Sequence, residues 1–204
     1  MDRRLLILPL AAIVIAGLVV WRLEQEDVRR GRPRPVAVLK NLKPAPSFLL
    51  TTQDGGRAKL AAYLGRTRVV LFFTGGQQGA LAGSAEFAAV VEAQPGIAAG
   101  GAQVVVVTPV PPQEVRQLQS RLGRPIPFPV YSDIDPQLGV PTPAHQIWGL
   151  VAQPGEPPRP GLFLIDRAGY AEFSPDREGA PGKPVPAGDV GGTLRRLAAG
   201  EWPM

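Results

Sequence analysis

The chain has 204 residues, room for one domain plus an anchor or tail, and 45% of them are hydrophobic, enough for a packed core. It contains no cysteine, which excludes disulfides, thiolate nucleophiles, Cys-ligated zinc and iron–sulfur clusters. The net charge of +5 invites a nucleic-acid reading, but nine of the 22 Lys/Arg and four of the 17 Asp/Glu fall in residues 1–43, leaving thirteen of each sign in 44–204. The folded part therefore lacks the basic footprint that phosphate binding needs, and no nucleic-acid partner is expected.

Residues 1–22 read as an uncleaved membrane anchor. A short basic start, Arg3 and Arg4, precedes an uncharged run from Leu5 to Trp21. At ~1.5 Å per residue this run spans roughly 25 Å as a helix, near the lower limit for crossing a hydrocarbon core. Trp21 and Arg22 stand where an interfacial aromatic and a snorkelling cation belong. A cleaved signal peptide is one alternative, though no A-x-A-like site follows the run; a buried core helix is another. The basic residues on the two sides of the run give opposing senses of insertion. The four-residue tail before it has the layout of an export signal, which places the domain outside the cytoplasm. Residues 23–43, with "RRGRPRP", read as an extended linker.

Residues 44–204 read as one domain. "PAPSFLL" followed by "TTQDGG" predicts a short strand or hairpin. "AKLAAYLG" predicts a single helical turn closed by Gly65. Val69–Phe73 is a continuous apolar run, the pattern of a strand buried on both faces. Gly79 to Gln94 predicts a helix with Leu81, Ala85, Ala88 and Ala89 inward, ended by Pro95-Gly96. Ala102–Val110 predicts a second buried strand. Pro112–Gly123 predicts a helix with Val115, Leu118 and Leu122 on one face. "FPVYSD" predicts a short strand and "DPQLGV" a helical turn. Gly161–Phe173 predicts two strands joined by an Asp-x-x-Gly turn. Asp189–Gly200 predicts a closing helix with an Asp N-cap. Strand–helix–strand–helix, then hairpin and helix, define an α/β sandwich with a mixed central sheet.

Five stretches in this order resemble the redoxin, peroxiredoxin-like (alkyl hydroperoxide reductase–thiol-specific antioxidant) branch of the thioredoxin-like superfamily. They are "APSFLL…DGG", "KLAAYLGRTRVVLFF", "AQVVVVT", "YSD…LGV" and "PGLFLIDRAG", covering residues 42–175. The resemblance implies a thioredoxin-like sandwich behind the transmembrane helix. It also implies a reactive thiol where the first core strand opens into a helix, because the helix N-terminus stabilises a thiolate. Laid on the family's G-x-W-C-x-x-C form, Gly75 takes the Gly position, Gln77 the Trp, and Gln78 and Leu81 the two Cys positions. A one-residue shift puts Gln77 in place of the first Cys. Neither an amide nor a leucine can reduce a peroxide or form a mixed disulfide. Arg159 stands near the family's arginine. Pro160 stands where thioredoxin-like proteins keep a cis-proline.

Other candidates have plain readings. The Gly-rich loop "GGQQGALAG" lacks the Lys of a phosphate loop and the G-x-G-x-x-G of a dinucleotide site, though its backbone could hold an anion. His145, the sole histidine, reads as a loop or surface residue. Asp133, Asp135 and Asp166 read as turn-formers. Trp148 and Trp202 read as core or as exposed anchors, and the proline-rich segment 136–160 as an irregular insert suited to an interface. No cofactor and no metal are expected. The sum is a membrane-tethered, cysteine-free redoxin-like domain with a binding or scaffold role and a protein partner. A redoxin-family oxidoreductase and a small-ligand or anion binder at the Gly-rich loop are the alternatives.

Overall fold

The computed structural model describes residues 42–76, 84–122, 125–134, 142–153, 155–172 and 184–202. The Leu5–Trp21 run, the linker to residue 41 and the "DPQLGV" turn lie outside them. No helix among the described residues is long and apolar enough to cross a membrane.

The described strands form one mixed sheet. In chain order they are β1 Leu42–Pro44, β2 Leu49–Thr51, β3 Arg57–Lys59, β4 Arg68–Phe73, β5 Ala102–Thr108, β6 Val130–Ser132, β7 Gly161–Ile165 and β8 Tyr170–Glu172. Their spatial order is β1-β8-β7-β4-β5-β6-β2-β3. β4, β5 and β6 run parallel, and β7 pairs antiparallel with β4, Val69 opposite Ile165 and Phe73 opposite Gly161. β1 takes in Leu42 and Lys43, two residues that the sequence pattern leaves in the linker, because they pair with Glu172 and Ala171 at the sheet edge.

The apolar runs behave as their composition dictates. All five side chains from Val69 to Phe73 are buried, alternate residues facing opposite layers. One layer packs Val70, Phe72, Val104, Val106 and Leu162 against helices α1 (Ala85–Ala99), α2 (Pro112–Leu122) and α4 (Val190–Ala198). The other packs Val69, Leu71, Phe73, Val105, Val107 and Phe163 against Phe48, Leu60, Trp148 and the short helix α3 (Pro143–Ile147). Burying such a side chain contributes about 1.5–3 kcal/mol, so the central strands dominate the domain's stability. This is the α/β thioredoxin-like sandwich expected.

Several details differ from expectation. α1 runs past Pro95-Gly96 to Ala99 and buries Phe87, Val90 and Ile97; Ala85 and Ala88 face solvent, and Leu81 lies outside the described residues. Pro95 only withholds one amide on the exposed side. Gly96 is a notch: a Cβ there would lie 2.5 Å from Ala198 O, so α4 crosses α1 at backbone contact. Asp189 stands at the N-cap of α4 but makes no capping bond with its side chain; its carboxylate accepts from Arg196 instead, at 3.0 Å. The 136–160 segment is not wholly irregular, because α3 lies within it.

Candidate functional site

The loop after β4 is the place to look, because strand-to-helix exits in α/β sheets gather main-chain donors and polar side chains. Thr74, Gly75 and Gly76 are described. Gln77, Gln78 and Leu81 lie outside the described residues. On the far side Ser84 caps α1: its Oγ accepts from Phe87 N at 3.2 Å and donates to Glu86 Oε2 at 2.8 Å. Glu86 is held below the usual carboxylate range by its own backbone N–H first and the Ser84 hydroxyl second, against slight desolvation.

Prolines lie against the described part of the strand exit. Gly76 N–H donates to Pro158 O at 2.9 Å. A Cβ on Gly76 would fall 2.5 Å from Pro158 Cδ and 3.0 Å from Pro157 Cβ, and one on Gly75 would fall 3.3 Å from Pro160 Cδ. At Gly76 only glycine lets the chain pass so close to that wall. Arg159 is exposed, and its N–H donates to Leu150 O at 2.8 Å. Arg159 and Pro160 thus stand beside the Gly-rich exit. The bond before Pro160 is trans, as are all peptide bonds among the described residues, whereas a cis-proline was expected.

His145 is the feature that the sequence reading missed. It is fully buried, not a loop or surface residue. Its Nδ1 lies 2.5 Å from Asp133 Oδ2 and its Nε2 lies 3.1 Å from Thr74 O, so it bridges β6 and the exit of β4. The Phe73 ring meets it edge-on at 4.9 Å. Asp133, at 2% exposure, does more than turn the chain. Its Oδ1 accepts from Ala144 N at 2.8 Å, its Oδ2 from His145 N at 2.9 Å, and its own carbonyl from Thr142 N at 3.2 Å. These bonds supply the first donors of α3 with a cap from a distant strand. The sequence held one signal for α3: Pro143 at its first position and Gly149 just past its end. Asp166 is a turn-former as expected, its Oδ1 accepting from Ala168 N and Tyr170 N. Asp135 lies outside the described residues.

Trp148 is core: it has no exposure and its ring centroid is 4.5 Å from that of Phe163. It is therefore not an exposed anchor. Trp202 is partly buried beneath Arg68, whose guanidinium carbon is 5.2 Å from its ring centroid. Tyr63 and Tyr131 join their hydroxyls, and burial first, then that bond, push Tyr131 well above the usual phenol range.

Asp, His and a Thr in line suggest a nucleophile relay, but the geometry does not make one. His145 Nε2 points at the Thr74 carbonyl, which carries no proton to abstract, and the Thr74 hydroxyl makes no hydrogen bond among the described residues. No group of three or more His, Asp or Glu among the described residues is placed to hold a metal ion.

Residues 42–172 match the model of the AhpC/TSA family, and the chain belongs to that family. No curated protein matches it. Among solved structures it is similar to one assigned as thiol:disulfide interchange protein DsbE from Chlorobium tepidum, with 23% identity and a TM-score of 0.51 over 79% of this chain and 97% of that one. It is also similar to peroxidoxin BcpB from Mycobacterium tuberculosis, with 21% identity and a TM-score of 0.52 over 76% and 96%. A third is a peroxiredoxin-like protein from Aquifex aeolicus, with 16% identity and a TM-score of 0.51 over 78% and 88%. At these identities the likeness is one of fold.

Proposed function

We propose that this chain is a membrane-tethered AhpC/TSA-family domain that performs no thiol chemistry of its own and acts by binding, as an accessory subunit or scaffold. The observation that carries the reading is the family's fold in a chain without a single cysteine. Thiol peroxidases and disulfide reductases work through a thiolate that becomes a sulfenic acid or a mixed disulfide. The family motif places Gln77 or Gln78 and Leu81 at those positions, and neither side chain can take the step. The close packing of Gly75 and Gly76 on Pro157–Pro160 supports the same reading, because the chain's own prolines lie against the described part of the strand exit. The apolar run Leu5–Trp21 is the tether, lying in the bilayer with the domain outside the cytoplasm. The test is extraction of the full chain from native membranes in mild detergent, affinity purification and mass spectrometry. One protein recovered at constant stoichiometry is the expected result. A chain that emerges alone contradicts the accessory role, and one that is released without detergent contradicts the tether.

A further inference from the structure

The imidazole of His145 lies between two acceptors. Thr74 O, 3.1 Å from Nε2, is a backbone carbonyl with no hydrogen to give, so Nε2 must carry one. Asp133 Oδ2 is 2.5 Å from Nδ1, and both carboxylate oxygens already accept main-chain N–H groups, from Ala144 and His145. With both oxygens already engaged as acceptors, the contact is one in which Nδ1–H donates to Oδ2. Among the described residues Phe73 covers the ring edge-on, Ala144 and Trp148 are apolar neighbours in the same layer, and Arg57 lines the same small cavity as Asp133. Tyr63 and Tyr131, partly buried against that layer, bond to each other.

We infer that His145 is a doubly protonated latch that holds the exit of β4 against α3 and so keeps Gly75–Gly76 closed on the Pro157–Pro160 wall. Among the described residues three bonds fix this exit. Thr74 N–H donates to Val107 O within the sheet, Gly76 N–H donates to Pro158 O, and between them the Thr74 carbonyl accepts from the imidazolium. The last is charge-assisted and is the strongest of the three. The other side of the latch is strained. Thr142, at φ 56, is the single non-glycine residue in the left-handed region among the described residues, and a β-branched side chain resists that conformation. It persists because Asp133 fixes Thr142, Ala144 and His145 together. Removing the ring's proton or the ring itself releases the Thr74 carbonyl and leaves the Gly76–Pro158 bond as the exit's outer tie. This inference concerns the fold around the site and stands whether or not the accessory role does.

The full chain has one histidine, so ring nitrogen resonances of histidine-labelled protein need no assignment. At neutral pH both nitrogens are expected to bear hydrogen, and a bare nitrogen in either position overturns the inference. That measurement needs no variant. In His145→Phe and His145→Gln, amide exchange at Gly76 is expected to rise by about tenfold or more, the worth of one charge-assisted bond. Val90 in α1, on the far layer, should stay within about twofold of the wild type. Unchanged exchange at Gly76, or equal acceleration at both sites, shows that the ring is core packing and not a latch.

Discussion

Replacing Gly96 by alanine sets two known effects against each other. Gly96 lies inside α1, where alanine is intrinsically better than glycine by about 0.8–1.0 kcal/mol. On helix propensity alone the variant should be more stable. The added Cβ, however, would fall 2.5 Å from Ala198 O, 2.8 Å from Ala198 Cα and 2.8 Å from Ala198 Cβ. Two of those three atoms are main chain, so no side chain can swing aside. α4 must move away from α1, and Ile97, Leu194 and Leu197, which share one core, lose contact. Overpacking of this kind costs about 1–3 kcal/mol, which exceeds the propensity gain. The net expectation is a loss of up to roughly 2 kcal/mol, or up to about 8 °C in Tm for a chain of this size. Thermal and urea unfolding of the full chain in one detergent measures it. Ala88→Gly, at an exposed position in the same helix, is the control and should lose about 1 kcal/mol. A Gly96→Ala variant stabilised by the full propensity difference would refute the close crossing.

Four further outcomes follow from the same structure. Leu71→Ala, at a position with no exposure in the central strand, should cost about 2–5 kcal/mol in urea unfolding. Ser84→Ala removes the cap of α1 and should cost about 1 kcal/mol, read in the same way. Because the folded state depresses Glu86, its stabilising contribution is present above the ordinary carboxylate range and fades as the pH falls through it. Acid unfolding of Glu86→Gln should accordingly show a smaller loss between neutral and acid pH than the wild type. Tyr131 should stay neutral in an alkaline ultraviolet titration after exposed tyrosines have ionised, and Tyr63→Phe should bring it back toward the ordinary range. The unfolded chain loses that phenolic proton first, so stability should fall as pH rises beyond about 10.

The strands were legible because their signal is local. Val69–Phe73 and Ala102–Thr108 are apolar runs that only a sheet covered on both faces accommodates. The end of α1 was misplaced because Pro-Gly reads as a stop signal when no partner is visible; the reason for glycine there is α4, a hundred residues on. His145 was misread for the same kind of reason. A lone histidine among prolines carries no local mark of burial, and its partners, Asp133 and Thr74, come from two different strand ends. Asp133 likewise offered turn chemistry in sequence and serves instead as the cap of a helix begun ten residues later. The missing thiol was legible outright, since a count of cysteines needs no fold.

The central proposal is an AhpC/TSA-family fold that performs no thiol chemistry of its own. Its most direct test is turnover of hydrogen peroxide or an organic hydroperoxide by the purified full chain, supplied with a thiol reductant and followed against buffer and against a cysteine-bearing family member. No consumption above buffer is the predicted result. Reproducible turnover that follows the amount of this chain and is lost on unfolding it would contradict the account, because it would show redox catalysis by a chain with no thiol.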